Sequence, residues 1–397
     1  MSIDSSARVG VIGAGTMGIG IAQIAATHGH PVVVCDTSAR QLERAESSLG
    51  KILTRLADKG KLDPAEARDI GARIDFTSNM ESIQDSPLVI EAIVEDLGFK
   101  QAVFRRIEQL VAEDAILATN TSSLSITGIA SAMRKPERLL AAHFFNPAPL
   151  MPLVELVPGL RTDPTLIFPV KKLMQDWGKT PVVARDTPGF IVNRVARPFY
   201  GEALRILEES QADVATIDWA MRELGGFPMG PFELMDLIGN DVNYQVTETV
   251  FQAFFYDPRF RPSFTQKRMV EAGLLGRKSG RGYYDYSEGA EKPVPDRDPL
   301  RGRAILERIL VMLINEAVDA LFLGIASAED IELAMTKGVR YPKGLLAWAE
   351  EMTPARVLHL LETLQAEYGE DRYRPNPLLR RVVRGEASLL EAAETRA

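Results

Sequence analysis

The chain has 397 residues, 46% of them hydrophobic and 25% charged, with a formal net charge of −8. That length exceeds what one hydrophobic core usually organises, so two or more domains are expected, and the ordinary composition excludes a disordered or fibrous protein. The acidic balance argues against nucleic-acid binding, although a local basic patch could hold a phosphorylated ligand. A single cysteine, Cys35, excludes an internal disulfide and a thiolate metal cluster and suits a reducing compartment. It ends an apolar run and reads as a small buried strand residue. No stretch approaches the roughly 20 apolar residues of a membrane span, and the first residues lack a basic stretch followed by a long apolar segment. A cytoplasmic protein without membrane association is expected.

The first strand, Val9–Ile12, runs into Gly13-Ala14-Gly15-Thr16-Met17-Gly18 and then a helix over residues 19–28. In such a turn Gly13 allows the tight bend, Gly15 lets the backbone approach a pyrophosphate, and Gly18 lets helix and strand pack closely. The free N–H groups of the helix start face the phosphates. Asp36 ends the next strand, Val32–Cys35, 18 residues after the last glycine. A carboxylate there accepts hydrogen bonds from both ribose hydroxyls and repels a 2′-phosphate, which points to NAD over NADP as the cofactor. The other reading of Asp36 is a turn or cap residue ahead of Thr37-Ser38.

Residues 38–72 scatter charged groups among leucines and read as a helical hairpin, an unusual arm for a minimal nucleotide-binding unit. Further short β-branched runs follow at 73–76, 88–91, 116–119, 139–144, 153–157 and 182–184, alternating with helical patterns. This is the signature of an α/β fold, a doubly wound and mostly parallel sheet of Rossmann type.

Of the four histidines, His28 and His30 flank a glycine at a helix end and His359 lies in a helical pattern, so these read as structural or surface groups. His143 ends an apolar strand. In an open parallel sheet the ligand crevice lies beyond the carboxyl ends of the strands, where His143 and Asn120 emerge. Oxidation of an alcohol by a nicotinamide needs a base for the hydroxyl proton, and imidazole suits that exchange near neutrality. Glu155, on the next strand, could hold the other ring nitrogen; a solvated surface glutamate is the alternative. The histidines are not at ligand spacing, so no metal site is expected.

At Asp186-Thr187-Pro188-Gly189 the pattern changes. Asp or Thr before Pro signals a helix start, and residues from about 186 onward read as helical, with Pro198 kinking the first long helix. This half repeats itself without a gap. Gly201-Glu202-Ala203 recurs 114 residues on as Asn315-Glu316-Ala317, Ala220-Met221 as Ala334-Met335, and Phe227-Pro228-Met229-Gly230 as Tyr341-Pro342-Lys343-Gly344. A duplicated helical unit explains the common register, with the Pro- and acid-rich segment 287–298 as linker. The expected domains are 1–185, 186–286 and 300–397, the last two forming an all-α part built from two repeats.

The glycine loop, Asn120-Thr121-Ser122-Ser123-Leu124, His143-Phe144-Phe145-Asn146-Pro147, Asp186-Thr187-Pro188-Gly189-Phe190-Ile191-Val192-Asn193-Arg194, Phe227-Pro228-Met229-Gly230-Pro231 and Gly276-Arg277-Lys278-Ser279-Gly280 together resemble the L-3-hydroxyacyl-CoA dehydrogenase family, essentially over residues 7–285. The resemblance implies reversible, NAD-dependent oxidation of a 3-hydroxyacyl-CoA to a 3-ketoacyl-CoA, as in fatty acid metabolism. It makes His143 the general acid/base, Glu155 its orienting partner, and Ser122 and Asn193 the neutral donors that hold the substrate oxygen. NAD contacts are implied from Gly13, Gly15, Thr16, Met17, Gly18, Asp36, Glu95, Lys100, Asn120, Ser122, Asn146 and Lys278, and a coenzyme A contact from Lys59. For Lys59 a solvated lysine in a charged helix is the other reading. The family's serine on that arm is replaced by Ile52, which puts that polar contact in doubt.

Short members of the family carry one helical domain and dimerise through it, whereas the second copy here resembles the long and multifunctional members. It is expected to pack on the first as a covalent substitute for a partner subunit, giving a monomer with an internal pseudo-dimer, or a homodimer through another surface. The second copy lacks the Asp-Thr-Pro-Gly-Phe start, so no catalytic residue is assigned to it. Two other readings remain at this point: a gulonate-type dehydrogenase of a free hydroxy acid or sugar acid, and a non-catalytic NAD-binding protein. Neither acyl chain length nor acceptance of a dicarboxylyl-CoA is fixed.

Overall fold

In the computed structural model, residues 3–389 are described. The chain divides between Phe190 and Ile191 into two compact units. Residues 390–397 of the expected second copy lie outside the described residues.

The first unit is an eight-stranded sheet. Its elements are β1 (Val9–Ile12), α1 (Thr16–Thr27), β2 (Val32–Cys35), α2 (Ala39–Asp58), α3 (Pro64–Ala72), β3 (Ile74–Thr77), β4 (Leu88–Glu91), α4 (Leu97–Leu110), β5 (Ile116–Thr119), α5 (Ile126–Ala130), β6 (Leu139–Phe144), β7 (Leu153–Pro158), α6 (Ile167–Asp176) and β8 (Thr180–Val183). The strand order is β3-β2-β1-β4-β5-β6-β7-β8. Strands β1, β2 and β4 are buried at every position, as Val- and Ile-rich runs covered on both faces must be. All pairings are parallel except β6 with β7, which are antiparallel. The physical reason is the link 145–152, too short for the crossover that a parallel pair requires.

The arm at 38–72 is the helical hairpin α2–α3. Leu42, Ala45, Leu49 and Leu53 recur every three or four residues along α2 and are its buried face, Ser38 caps its start and Asp63 caps α3. Two local expectations are corrected. Helix α1 starts at Thr16, directly after Gly15, because the glycine loop itself turns into the helix. Asp186 starts no helix: its carboxylate accepts the Ile126 and Thr127 amides and the Ser125 hydroxyl, closing the exposed start of α5.

The second unit is helical: α7 (Val192–Val195), α8 (Arg197–Glu208), α9 (Val214–Trp219), α10 (Pro231–Ile238), α11 (Asn240–Ala253), α12 (Phe264–Glu271), α13 (Pro299–Phe322), α14 (Ala328–Leu333), α15 (Leu345–Met352), α16 (Pro354–Tyr368) and α17 (Pro377–Val383). Pro198 does not kink a helix. The chain breaks at Ala196, and the proline occupies the first turn of α8, where it lacks no needed donor.

The 114-residue register holds in three dimensions. Helix α9, the π-helical turn Ala220–Leu224 and α10 recur as α14, the π-helical turn Ala334–Gly338 and α15. Asp218 caps α10 through the amides of Phe232 and Glu233, and its counterpart Glu332 caps α15 through those of Leu346 and Ala347. Each carboxylate fits only because a glycine, Gly230 or Gly344, stands where a Cβ would collide with it.

The copies meet with two-fold logic. Arg194 Nε donates to Glu316 Oε1 at 2.6 Å, and Arg308 Nε donates to Glu202 Oε1 at 2.8 Å. Arg308 is the repeat counterpart of Arg194, and Glu316 that of Glu202, so the two ion pairs are exchanged across the interface. Phe227 meets its own counterpart Tyr341, ring centroids 5.0 Å apart, which places that contact on the pseudo-axis.

Candidate active site

Strands β1, β2, β4, β5 and β6 run parallel, so their carboxyl ends line one edge of the sheet. The switch in strand order falls between β1 and β4, the place where an open α/β sheet leaves a crevice. Gly13, just past β1, has φ +105°, and a Cβ on it would come within 2.6 Å of the Ala92 carbonyl oxygen past β4. A Cβ on Gly18 would collide with the Gly13 carbonyl oxygen, whereas one on Gly15 would meet nothing within 4 Å. Open space therefore stands over Gly15, the N-cap of α1, whose start, with Thr16 and Met17, has no side-chain cap and no acidic group. A dinucleotide pyrophosphate fits this cradle, since unpaired N–H groups and the helix dipole favour an anion. Asp36 flanks it: its Oδ2 accepts the Ala14 amide at 2.9 Å and its Oδ1 the Ser38 amide at 2.9 Å.

His143 and Glu155 face each other across the antiparallel pair β6–β7, in direct register. Nδ1–H of His143 donates to Glu155 Oε2 at 2.7 Å. A carboxylate only accepts, so the proton sits on Nδ1 and Nε2 carries the ring's lone pair. His143 is 5% exposed and Glu155 0%. Phe145 and Phe190 pack on the imidazole, with centroids at 4.5 and 5.8 Å. Phe190 has φ +48°, a strained conformation for a bulky residue and one found preferentially at functional sites.

The turn after β5 is organised by Glu95. Its Oε1 accepts the Thr121 hydroxyl at 2.6 Å, the Ser122 and Ser123 amides at 2.9 and 3.1 Å, and the Ser123 hydroxyl at 3.0 Å. Burial pushes the Glu95 carboxyl up, but the Lys100 ammonium and these donors hold it below the usual carboxylate range. Asn120 accepts the Phe144 amide through Oδ1 at 2.8 Å, locking the end of β5 to the end of β6 beside His143.

Other residues singled out from sequence sit differently. Lys100 is 1% exposed and reaches the turn only through Glu95, its ammonium being 2.6 Å from Glu91 and 3.4 Å from Glu95. Asn146 is exposed just past β6. Lys59 ends α2 and is exposed, as is Ile52. In the second unit Asn193 lies on α7, and Lys278, in the turn Arg277–Ser279, pairs with Asp241 at 2.7 Å. At the repeat offset the counterpart of Asn193 is Glu307, so the second copy does not keep that amide. His30 bonds the Ala7 carbonyl, His28 the Ile24 carbonyl, and burial raises the Cys35 thiol to about 11. Sequence reasoning passed over Glu91 and Thr119, whose signal was a carboxylate closing an otherwise apolar strand.

The fold and site define a dinucleotide-dependent oxidoreductase. The family model for the 3-hydroxyacyl-CoA dehydrogenase NAD binding domain matches residues 8–187, and that for the C-terminal domain matches 189–286 and 305–392. The chain belongs to the 3-hydroxyacyl-CoA dehydrogenase family, NAD-dependent enzymes of hydroxyacyl-CoA thioesters. It is 39% identical to 3-hydroxyadipyl-CoA dehydrogenase of Escherichia coli over 94% of this chain and 96% of that one. With a probable 3-hydroxybutyryl-CoA dehydrogenase of Deinococcus radiodurans it shares 42% identity, over 70% of this chain and the whole of the shorter one. The crystal structure of 3-hydroxybutyryl-CoA dehydrogenase from Escherichia coli K12 superposes with a TM-score of 0.90 at 39% identity, covering 96% of this chain and 99% of that one. No described helix is long and apolar enough to cross a membrane.

Proposed function

We propose that the chain oxidises an (S)-3-hydroxyacyl-CoA to the 3-ketoacyl-CoA, reversibly, with His143 as general base. The observation that carries this reading is the buried His143–Glu155 pair at 2.7 Å, at the strand edge that also carries the glycine loop. Bound NAD supplies the acceptor for the hydride that leaves C3. Nε2 of His143 takes the proton of the 3-hydroxyl, and Glu155 stabilises the imidazolium as it forms. In reduction the imidazolium returns the proton to the ketone oxygen.

Ser122, whose turn Glu95 fixes, holds the substrate oxygen as a neutral donor where charge develops. Asn193 is assigned the same task on the family resemblance alone. Gly13, Gly15, Thr16, Met17 and Gly18 hold the pyrophosphate, Asp36 the adenosine ribose, and Asn120, Asn146 and Lys278 further parts of NAD, with Lys100 acting through Glu95. Lys59 is assigned to coenzyme A. The buried lone cysteine suits a reducing, cytoplasmic setting.

The names given to the full-length Escherichia coli matches differ in acyl group, adipyl for the sequence relative and butyryl for the solved structure, so the assay that tests the reading also selects the substrate. Oxidation of NADH is followed with 3-ketoacyl-CoA thioesters of increasing chain length, 3-ketoadipyl-CoA included. Turnover with one of them and none with free keto acids is the expected result, and the reverse preference overturns the reading.

The exchanged pairs Arg194–Glu316 and Arg308–Glu202 support a three-part division of the chain in which the second helical copy replaces a partner subunit. The shorter relative, matching only 70% of this chain, supports it too. A fragment ending at residue 290 is expected to self-associate in sedimentation. A stable monomeric fragment refutes the internal pseudo-dimer.

A further inference from the structure

Glu91 ends β4 after Leu88, Val89 and Ile90, and its carboxylate is wholly buried. Lys100 Nζ and the Ile93 amide both donate to its Oε1 at 2.6 Å, and the Thr119 hydroxyl donates to its Oε2 at 2.6 Å. Lys100 spans from there to Glu95 Oε2 at 3.4 Å, and the other oxygen of Glu95 gathers the donors of Thr121, Ser122 and Ser123. One buried ammonium thus joins two carboxylates, and the series Thr119, Glu91, Lys100, Glu95, Ser122 runs from the sheet interior to the turn past β5. Stability does not explain it, because an apolar group of similar volume is often as favourable as a buried ion pair. What the arrangement does supply is a fixed place for Glu95, and so for the turn that Glu95 organises.

We propose that Glu91 is a positioning residue for the dehydrogenase reaction, holding Ser122 in place through Lys100 and Glu95. The proposal rests on the reading of Ser122 as a holder of the substrate oxygen. Without the Glu91 charge, Glu95 is the remaining counter-ion of Lys100 among the described residues; the ammonium moves to it and draws Glu95 from the amides and hydroxyls of the turn. A misplacement of about 1 Å at such a site costs on the order of 100-fold in rate. Thr119 holds the far oxygen of Glu91, and its Oγ also accepts the Thr121 amide at 3.3 Å, so it touches the turn directly as well as through the series.

The test uses the full-length protein, acetoacetyl-CoA and NADH, with rates normalised to NADH-binding sites counted by fluorescence titration. Glu91→Gln and Thr119→Val are expected to lower kcat per site by about 10-fold or more, with KM for acetoacetyl-CoA within about 3-fold of the parent. Thr119→Ser, which keeps the hydroxyl, is expected to restore kcat. Thr119→Val loosens both Glu91 and the Thr121 amide, so it is read beside Glu91→Gln; should Glu91→Gln not fold, Lys100→Met carries the test by removing the ammonium that joins Glu91 to Glu95. An unchanged kcat per site in the folded variant, with loss confined to melting temperature or to the number of binding sites, makes the network merely structural and overturns the proposal. A parent protein that turns over no 3-ketoacyl-CoA overturns the functional reading instead, a result visible before any variant is made.

Discussion

Replacing Glu155 by glutamine removes one charge and little volume from beneath the imidazole. In the proposed oxidation step His143 passes from neutral to positive while the carboxylate, 2.7 Å from Nδ1, stays fixed. Taking roughly 4 Å between charge centres and an effective dielectric near 20, the attraction lost is about 4 kcal/mol. Glutamine keeps an acceptor oxygen, so the ring stays oriented, and a buried carboxylate no longer has to be kept ionised. Both effects reduce the net loss, to about 2 to 3 decades in kcat. Reduction of NAD with (S)-3-hydroxybutyryl-CoA measures this step, alongside NADH affinity by fluorescence and melting temperature by calorimetry, both expected near the parent values. A Glu155→Gln protein with kcat within about 3-fold of the parent, equally folded, refutes the idea that the carboxylate stabilises the imidazolium.

His143→Gln is expected to lose ~10²–10⁴-fold in kcat with NAD affinity retained; near-normal turnover removes His143 from the mechanism. Activity with NAD is expected to exceed that with NADP, and Asp36→Ala to narrow the ratio; a parent that prefers NADP disproves the role given to Asp36. Arg308→Met leaves Glu202 buried with less compensation and is expected to lower stability by about 3–5 kcal/mol, read as a fall in Tm of roughly 6 °C or more. An unchanged Tm shows that the exchanged ion pairs do not hold the two copies together. Lys179, whose ammonium donates to the Ala148, Pro149 and Met151 carbonyls in the loop past His143, is pushed down to about 8 by burial. Because the unfolded chain then binds more protons than the folded one between about pH 8 and 10.5, stability contributed by this group rises with pH across that window, by no more than about 3 kcal/mol. Denaturation of the parent and of Lys179→Met at pH 7.5 and 10 is expected to show the parent gaining relative to the variant, and parallel curves contradict the assignment.

The elements of this protein are legible in its sequence because each rests on short-range physics. Val9–Ile12 and Val32–Cys35 are strands on both faces of which apolar residues repeat, the glycines at 13, 15 and 18 specify their own turn, and the 114-residue recurrence declares two helical copies before any helix is placed. The His143–Glu155 contact was open on sequence alone, since twelve positions of spacing say nothing of register until β7 turns back antiparallel against β6. Asp186 and Pro198 carried local signals that packing used otherwise, one to cap α5 from a distance and the other to begin a helix instead of bending one. The network of Glu91 with Lys100 and Glu95, and the exchanged partners Arg194–Glu316 and Arg308–Glu202, belong wholly to the tertiary structure. Local preference reaches only a few residues along the chain, whereas a buried charge finds its partner by strand order and pseudo-symmetry, which exist only once the core has closed.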